Sequence, residues 1–152
     1  MYWLNLIIPA LVFIPSLLIY FFPPANILQE SPDEPAYYKI MEWIGRAGLI
    51  ITPLFFPYSA VSVAGGLAQI ALIVFLILHY ACWMRFFLLG RVYEYLYLPM
   101  VGIPAPLAIS SVLYFMYASF LLSSGLMFVF AIIFAAGHIP ISLISYKAIK
   151  MS

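Results

Sequence analysis

Two histidines lie inside long apolar stretches of this sequence, at His79 and His138. His79 precedes Arg85 by six residues, and His138 precedes Lys147 by nine. If both stretches are helices that leave a membrane at those basic residues, a rise of about 1.5 Å per residue places the imidazoles roughly 9 Å and roughly 13 Å deep. Ionisable groups at that depth are costly unless they face a bundle interior or a wet cavity. We therefore expect both histidines to face one shared cavity.

The candidate ligand-binding residues combine these histidines with nearby charged and hydroxyl side chains. They are Glu42, Arg46, His79, Arg85, Arg91, Tyr114, His138 and Ser142. Glu42 and Arg46 are four residues apart, which suits an ion pair on one helix face, and Ser142 lies one turn beyond His138. Because arginine suits bidentate recognition of phosphate or carboxylate, the set favours an anionic head group. The plainer alternative is that the polar residues join helices by hydrogen bonds and the arginines meet lipid phosphates.

Catalysis and cofactor binding have little support in the sequence. It contains no glycine-rich phosphate loop, no HExxH and no GxSxG motif. His79 or His138 could act as a general acid or base with Glu42 or Glu94. The same two histidines could also ligate a haem axially, with arginines pairing its propionates. We predict no metal and no cofactor, keep haem as the alternative, and leave open whether the protein is an enzyme.

The composition indicates a membrane protein. The 152 residues are 67% hydrophobic and 7% charged, with a mean hydropathy of +1.15. Soluble domains carry about 25% charged residues, so water is a poor solvent for this chain. The net charge is +1 and the basic residues form no run, which excludes a nucleic-acid partner. The single cysteine, Cys82, excludes an internal disulfide and a cysteine-based metal cluster.

Hydropathy and turn signals predict an all-α integral membrane bundle of five transmembrane helices in a single domain, 1–152. The expected spans are about 2–22, 37–58, 66–89, 104–122 and 126–146. The first run lacks a basic start and a small-residue cleavage site, so we expect a retained helix and not a signal peptide. Residues 25–35, with three acids and two prolines after Pro24, are expected to form a surface loop. Residues 91–103, rich in tyrosine, are expected to lie along the membrane interface.

The charge distribution predicts the orientation. With five alternating spans, all six Lys and Arg residues and all five acids fall on one side, and the other side carries no charged side chain. Cytoplasmic loops carry the excess of Lys and Arg. We therefore expect a protein of the plasma (inner) membrane with an extracytoplasmic N-terminus and a cytoplasmic C-terminus.

Three segments, RFFLLGR, GIPAPLAISSVLYF and GHIPIS, together make the chain similar to small, uncharacterised bacterial polytopic membrane proteins. The resemblance runs from about Glu42 onward. It implies a polytopic membrane fold and no particular activity, so it assigns no role to any residue.

The function that these features favour is binding or transport of a small amphipathic or lipid-like molecule with an anionic head at the cytoplasmic side. Membrane lipids are the other expected partners, and a transport path through a chain this short would call for a homo-oligomer. Two alternatives stay open. One is a membrane-embedded enzyme acting on a lipid or isoprenoid substrate, and the other is an accessory subunit of a larger membrane complex.

Overall fold

A computed structural model describes residues 1–26, 33–58 and 63–151, with the side chains of residues 63 and 64 left out. Most of the predicted surface loop, including Glu30, lies outside these residues. The described chain forms five α-helices. They are α1 (Ile7–Phe21), α2 (Ala36–Ile51), α3 (Val63–Leu88), α4 (Pro106–Leu121) and α5 (Gly125–Met151). Short 3-10 helices lie at Trp3–Leu6, Thr52–Leu54 and Tyr93–Leu96.

The predicted all-α class is confirmed, since the described residues form helices and no strand. Three helical runs are long and apolar enough to cross a membrane: Trp3–Phe21, Gly65–Leu88 and Gly125–Met151. The run Pro106–Leu121 is apolar but shorter. These findings show a helical protein with three candidate membrane spans, which fits the composition.

The helices differ most from the predicted spans at the ends of α2 and α5. Helix α2 ends at Ile51, well before residue 58, and passes into the 3-10 turn Thr52–Leu54. Pro53 has no N–H to continue the α-helical ladder, and the Thr52 hydroxyl donates to the Gly48 carbonyl at 2.6 Å. Pro15 and Pro140 lie inside α1 and α5. Helix α5 also continues to Met151, five residues beyond its predicted end.

Helix α4 is at the centre of the bundle. Ten of its 16 residues are buried, against four of the 15 in α1. It packs on α3 on one side and on α5 on the other, and α5 packs in turn on α2. The main core contains Val12, Leu49, Phe115 and Phe134 from four different helices. The short turn at Ser123 and Ser124 makes α4 and α5 neighbours, and the Ser124 hydroxyl accepts the backbone N–H of Met127 at 3.1 Å.

Glycines bring the backbones of α2 and α5 into direct contact. A Cβ at Gly45 would lie 2.5 Å from the backbone of Phe134, and a Cβ at Gly137 would lie 2.4 Å from the backbone nitrogen of Glu42. No side chain fits in either place. Small residues at such crossings let membrane helices approach closely. This approach sets Glu42 of α2 beside the residue that follows Gly137, which is His138.

Candidate functional site

A cavity of about 270 Å³ lies at one end of the bundle, and we call it the polar cavity. All five helices contribute to its wall, together with the turn between α3 and α4. Its lining residues are Ser16, Ile19, Tyr20, Glu42, Arg46, Trp83, Leu96, Tyr97, Leu107, His138, Ile141 and Ser142. Charged and hydroxyl groups share this wall with aliphatic side chains, so the space is amphipathic.

Glu42 is the centre of the charged part of the wall. Its Oε1 atom accepts hydrogen bonds from the guanidinium of Arg46 and from Nδ1 of His138, the latter at 3.0 Å. A carboxylate can only accept, so Nδ1 of His138 carries a hydrogen. The Glu42 side chain is 13% exposed and that of His138 is 19% exposed. The imidazole also stacks on the ring of Phe134, with centroids 4.7 Å apart. The sequence predicted the Glu42–Arg46 pair, and the structure adds His138 to it.

The Arg46 guanidinium has donor capacity that the described protein atoms do not use. Its Nη2 binds Glu42, but its Nε is buried and has no hydrogen-bond partner among the described residues. The group also lies over the rings of Phe13 and Phe134, 5.8 Å and 6.0 Å from their centroids. A buried donor without an acceptor costs about 1–3 kcal/mol. The rest of the side chain is 34% exposed and lines the cavity.

His79 does not line the polar cavity, which differs from the shared cavity expected for the two histidines. It is 2% exposed, and the indole N–H of Trp83, which does line the cavity, donates to its Nε2 at 3.1 Å. The same Nε2 lies 3.3 Å from the carbonyl oxygen of Val12. His79 thus holds the cavity residue Trp83 by a hydrogen bond, and it lies in the contact between α1 and α3.

Tyr114 also contacts α1 and not the cavity. Its hydroxyl donates to the carbonyl of Ile8 at 3.1 Å, and the hydroxyl of Tyr80 donates to the carbonyl of Leu11 at 2.9 Å. Pro15 cannot donate to Leu11 four residues earlier, so Tyr80 satisfies the carbonyl that the proline leaves free. These bonds hold α1 against α3 and α4. Ser110 of α4 bonds the backbone of its own helix, because its hydroxyl donates to the Leu107 carbonyl at 3.1 Å.

Arg85 and Arg91, the two other arginines among the candidate ligand-binding residues, lie away from the cavity wall. Arg85 donates to the carbonyls of Leu98 and Pro99 at 2.7 Å and 3.1 Å, and also to that of Tyr95. It therefore fixes the turn that carries Tyr97. Arg91 has a left-handed backbone with φ of 58°, and its carbonyl accepts the backbone N–H of Ala25 at 2.9 Å. Neither guanidinium lines the polar cavity.

The α3–α4 turn is the part of the site that the sequence did not identify. Leu96 and Tyr97 from this turn line the cavity, and the Tyr93 hydroxyl donates to the Tyr97 hydroxyl at 3.1 Å. Asn26 holds the turn by donating to Glu94 at 2.8 Å and accepting the backbone N–H of Tyr93 at 2.7 Å. Burial raises the pKa of the Tyr97 phenol far above its usual range, so this group stays protonated. The tyrosine spacing signalled an interface, but not that the turn folds back over the helix ends.

Of the eight predicted binding residues, the structure brings Glu42, Arg46, His138 and Ser142 together at the polar cavity. Trp83, Tyr97 and Ser16 are cavity residues that the sequence analysis did not select. The described residues include no cluster of three or more His, Cys, Asp or Glu side chains arranged to hold a metal ion. Comparison of the chain with protein-family models, curated proteins and solved structures finds no match.

Proposed function

We propose that this protein is a five-span bundle of the plasma (inner) membrane that binds or moves a small amphipathic molecule. The anionic head of that molecule occupies the polar cavity from the cytoplasmic side, and its apolar part extends toward the lipid.

Support for five alternating spans comes from the ends of the helices that meet at the cavity. Helices α1 and α3 contribute residues near their ends, and α4 contributes Leu107 near its start. Helices α2 and α5 are antiparallel, since Gly45 lies against Phe134 and Gly137 lies against Glu42. Consecutive helices therefore run in opposite directions. Helices α2 and α4 are each 16 residues long, about 24 Å at 1.5 Å per residue. Such helices cross a hydrocarbon layer of about 30 Å only when the flanking residues or local thinning of the bilayer make up the difference.

The cytoplasmic assignment of the cavity follows from the basic residues. Arg46 lines it, Arg85 holds its turn, and Lys147 lies on α5 beyond Ser142. Basic residues on one side of a membrane protein mark the cytoplasm. With an odd number of spans, the N-terminus is extracytoplasmic and the C-terminus cytoplasmic.

The observation that carries the ligand assignment is the Arg46 guanidinium, which lines the cavity, belongs to a side chain that is 34% exposed and uses only Nη2 in its hydrogen bond to Glu42. A carboxylate, sulfonate or phosphate oxygen would accept from it. The aliphatic wall formed by Ile19, Leu96, Leu107 and Ile141 suits the first methylene groups of the same molecule.

The volume limits how much of the ligand is enclosed. A cavity of about 270 Å³ equals the liquid volume of roughly nine water molecules, at about 30 Å³ each. It holds a head group and a few carbons, and a long chain must lie outside it. The ligand is therefore either short or only partly enclosed.

The test is calorimetric titration of octanesulfonate, a single-chain anion, into the protein in nanodiscs of zwitterionic lipid. We expect saturable binding that Arg46→Gln weakens by about tenfold or more, because a charge-assisted hydrogen bond is worth about 1.5–3 kcal/mol. Lys39→Gln is the matched control, since Lys39 is on the same helix but half exposed and paired with Glu34. Octyl glucoside, with the same chain and no charge, should compete poorly. Equal binding by the two variants would contradict the proposal.

A membrane-embedded enzyme acting on a lipid or isoprenoid substrate is the second candidate. The 3.0 Å contact between Glu42 and His138 favours it, because a carboxylate that orients an imidazole is a common general-base arrangement. The two candidates differ in what happens to the bound molecule. Mass spectrometry of an amphiphile recovered after long incubation would show it unchanged for a binding protein or transporter and converted for an enzyme.

A further inference from the structure

The charged groups of the polar cavity balance one another before any ligand enters. The wall contains one carboxylate, Glu42, and one guanidinium, Arg46, which are paired. Apart from His138, the other lining residues carry no carboxylate, guanidinium or amine. His138 carries an imidazole, the side-chain group that most readily changes charge under physiological conditions. With a neutral imidazole, the described wall has a net charge of zero.

An entering anion upsets this balance. It brings one negative charge into a partly enclosed space beside a carboxylate that is only 13% exposed. Uncompensated charge in such surroundings is costly, and proteins avoid the cost by changing the protonation of a neighbouring group. We infer that anion binding in the polar cavity is coupled to uptake of one proton by His138. This inference rests on the proposed function and describes how the same site is regulated.

The hydrogen bonds of His138 allow this uptake without rearrangement. Its Nδ1–H already donates to Glu42, and this bond persists in both charge states of the ring. The proton comes from bulk water and binds Nε2, so no bond between protein groups breaks. The charged imidazolium then lies next to Glu42 and close to the bound anion. The cavity gains one negative and one positive charge, and its total stays at zero.

His79 is the other imidazole near the site, and its contacts oppose the same role. Its Nε2 accepts the indole N–H of Trp83 at 3.1 Å. Protonation of Nε2 would turn the acceptor into a donor and break that bond. His79 is also 2% exposed and off the cavity wall, with Tyr80 as its neighbouring titratable group on α3. Outside the cavity wall, Arg85 donates to backbone carbonyls, and Lys147 is exposed.

Coupling of this kind makes the site respond to pH. If one proton enters with each anion, the dissociation constant rises about tenfold for each unit by which the pH increases. The anion and the proton enter and leave the cavity together. In a transporter, the same coupling would let a proton gradient drive movement of the anion.

The test is proton counting by calorimetry in nanodiscs, with octanesulfonate titrated in two buffers of different ionisation enthalpy. The sulfonate does not itself titrate near neutrality, so any proton taken up comes to the protein. At about pH 8 we expect uptake of about one proton per anion bound. His138→Gln should abolish this uptake and flatten the pH dependence of binding. His79→Gln should retain both.

The outcomes separate the inference from the proposed function. Saturable binding without proton uptake by the unaltered protein would overturn the inference and leave the proposed function standing. Uptake that survives His138→Gln would overturn it as well. Absence of binding at any pH would contradict the proposed function, and the inference would fail with it. Because the unaltered protein decides the proton count, poor folding of the His138 variant would not prevent a decision.

Discussion

The surroundings of His138 and His79 show how two histidines at similar expected depth acquire different roles. His138 projects from the glycine-lined contact between α2 and α5, binds Glu42 and lines the polar cavity. His79 is enclosed between α1 and α3 and binds Trp83. The difference comes from the neighbours and not from depth. A charged partner with access to a cavity makes an imidazole available for chemistry, whereas a backbone and an indole N–H make it a packing element.

The largest effect is expected from a substitution at the α2–α5 contact, which positions His138. Gly137→Ala puts a methyl group 2.4 Å from the backbone nitrogen of Glu42, so α2 and α5 must separate. Overpacking of this kind costs about 1–3 kcal/mol, and we expect a clear loss of melting temperature in detergent together with loss of octanesulfonate binding. Gly66→Ala is the control, because a Cβ at Gly66 would have nothing within 4 Å. Equal melting temperatures for the two variants would show that the α2–α5 contact is looser than described.

Arg85→Gln tests whether the α3–α4 turn positions the cavity wall. The guanidinium donates to three backbone carbonyls of that turn, and the amide replaces them only in part. We expect a loss of about 1.5–3 kcal/mol in stability and weaker octanesulfonate binding, although Arg85 does not line the cavity. Arg91→Gln removes the same charge from the neighbouring position and should change binding by less than about twofold, since its guanidinium is off the wall. If both variants bind alike, the effect of Arg85 is one of charge and not of positioning.

A smaller loss of stability is expected when the hydrogen bond to His79 is removed. Trp83→Phe removes the indole N–H that donates to His79 and leaves an acceptor unpaired in a buried place, at a cost of about 1–2 kcal/mol. The melting temperature should fall. The number of protons taken up per octanesulfonate should stay the same, because His138 and Glu42 are unchanged. A change in that number would mean that the two histidines act as one unit.

Local patterns in the sequence were sufficient for the helices and for the Glu42–Arg46 pair. Hydropathy sets helix positions, and a spacing of four residues sets which side chains share a face. Contacts between helices could not be predicted from such local patterns. Nothing in the positions of Gly45 and Gly137 indicates that each lies against the backbone of the opposite helix. Nothing in the sequence of the α3–α4 turn shows that Tyr97 folds back over the helix ends.

The two histidines illustrate the same limit. Distance along the chain from a basic residue estimates depth, and the two estimates, roughly 9 Å and roughly 13 Å, differ little. It contains no information on rotation about the helix axis relative to a neighbour. His79 therefore resembled His138 in the sequence, although Trp83 encloses the first and Glu42 binds the second.

Fluorescence of Trp83 tests the central claim, the binding of an anionic head group in the polar cavity, most directly. Trp83 lines the cavity, and the other two tryptophans, Trp3 and Trp43, are exposed on the outside and can be replaced by phenylalanine. In that background, we predict that octanesulfonate brominated near its head quenches Trp83 saturably, and that Arg46→Gln weakens the effect by about tenfold or more. Quenching that rises linearly without saturation, or that is unchanged by Arg46→Gln, would contradict the account.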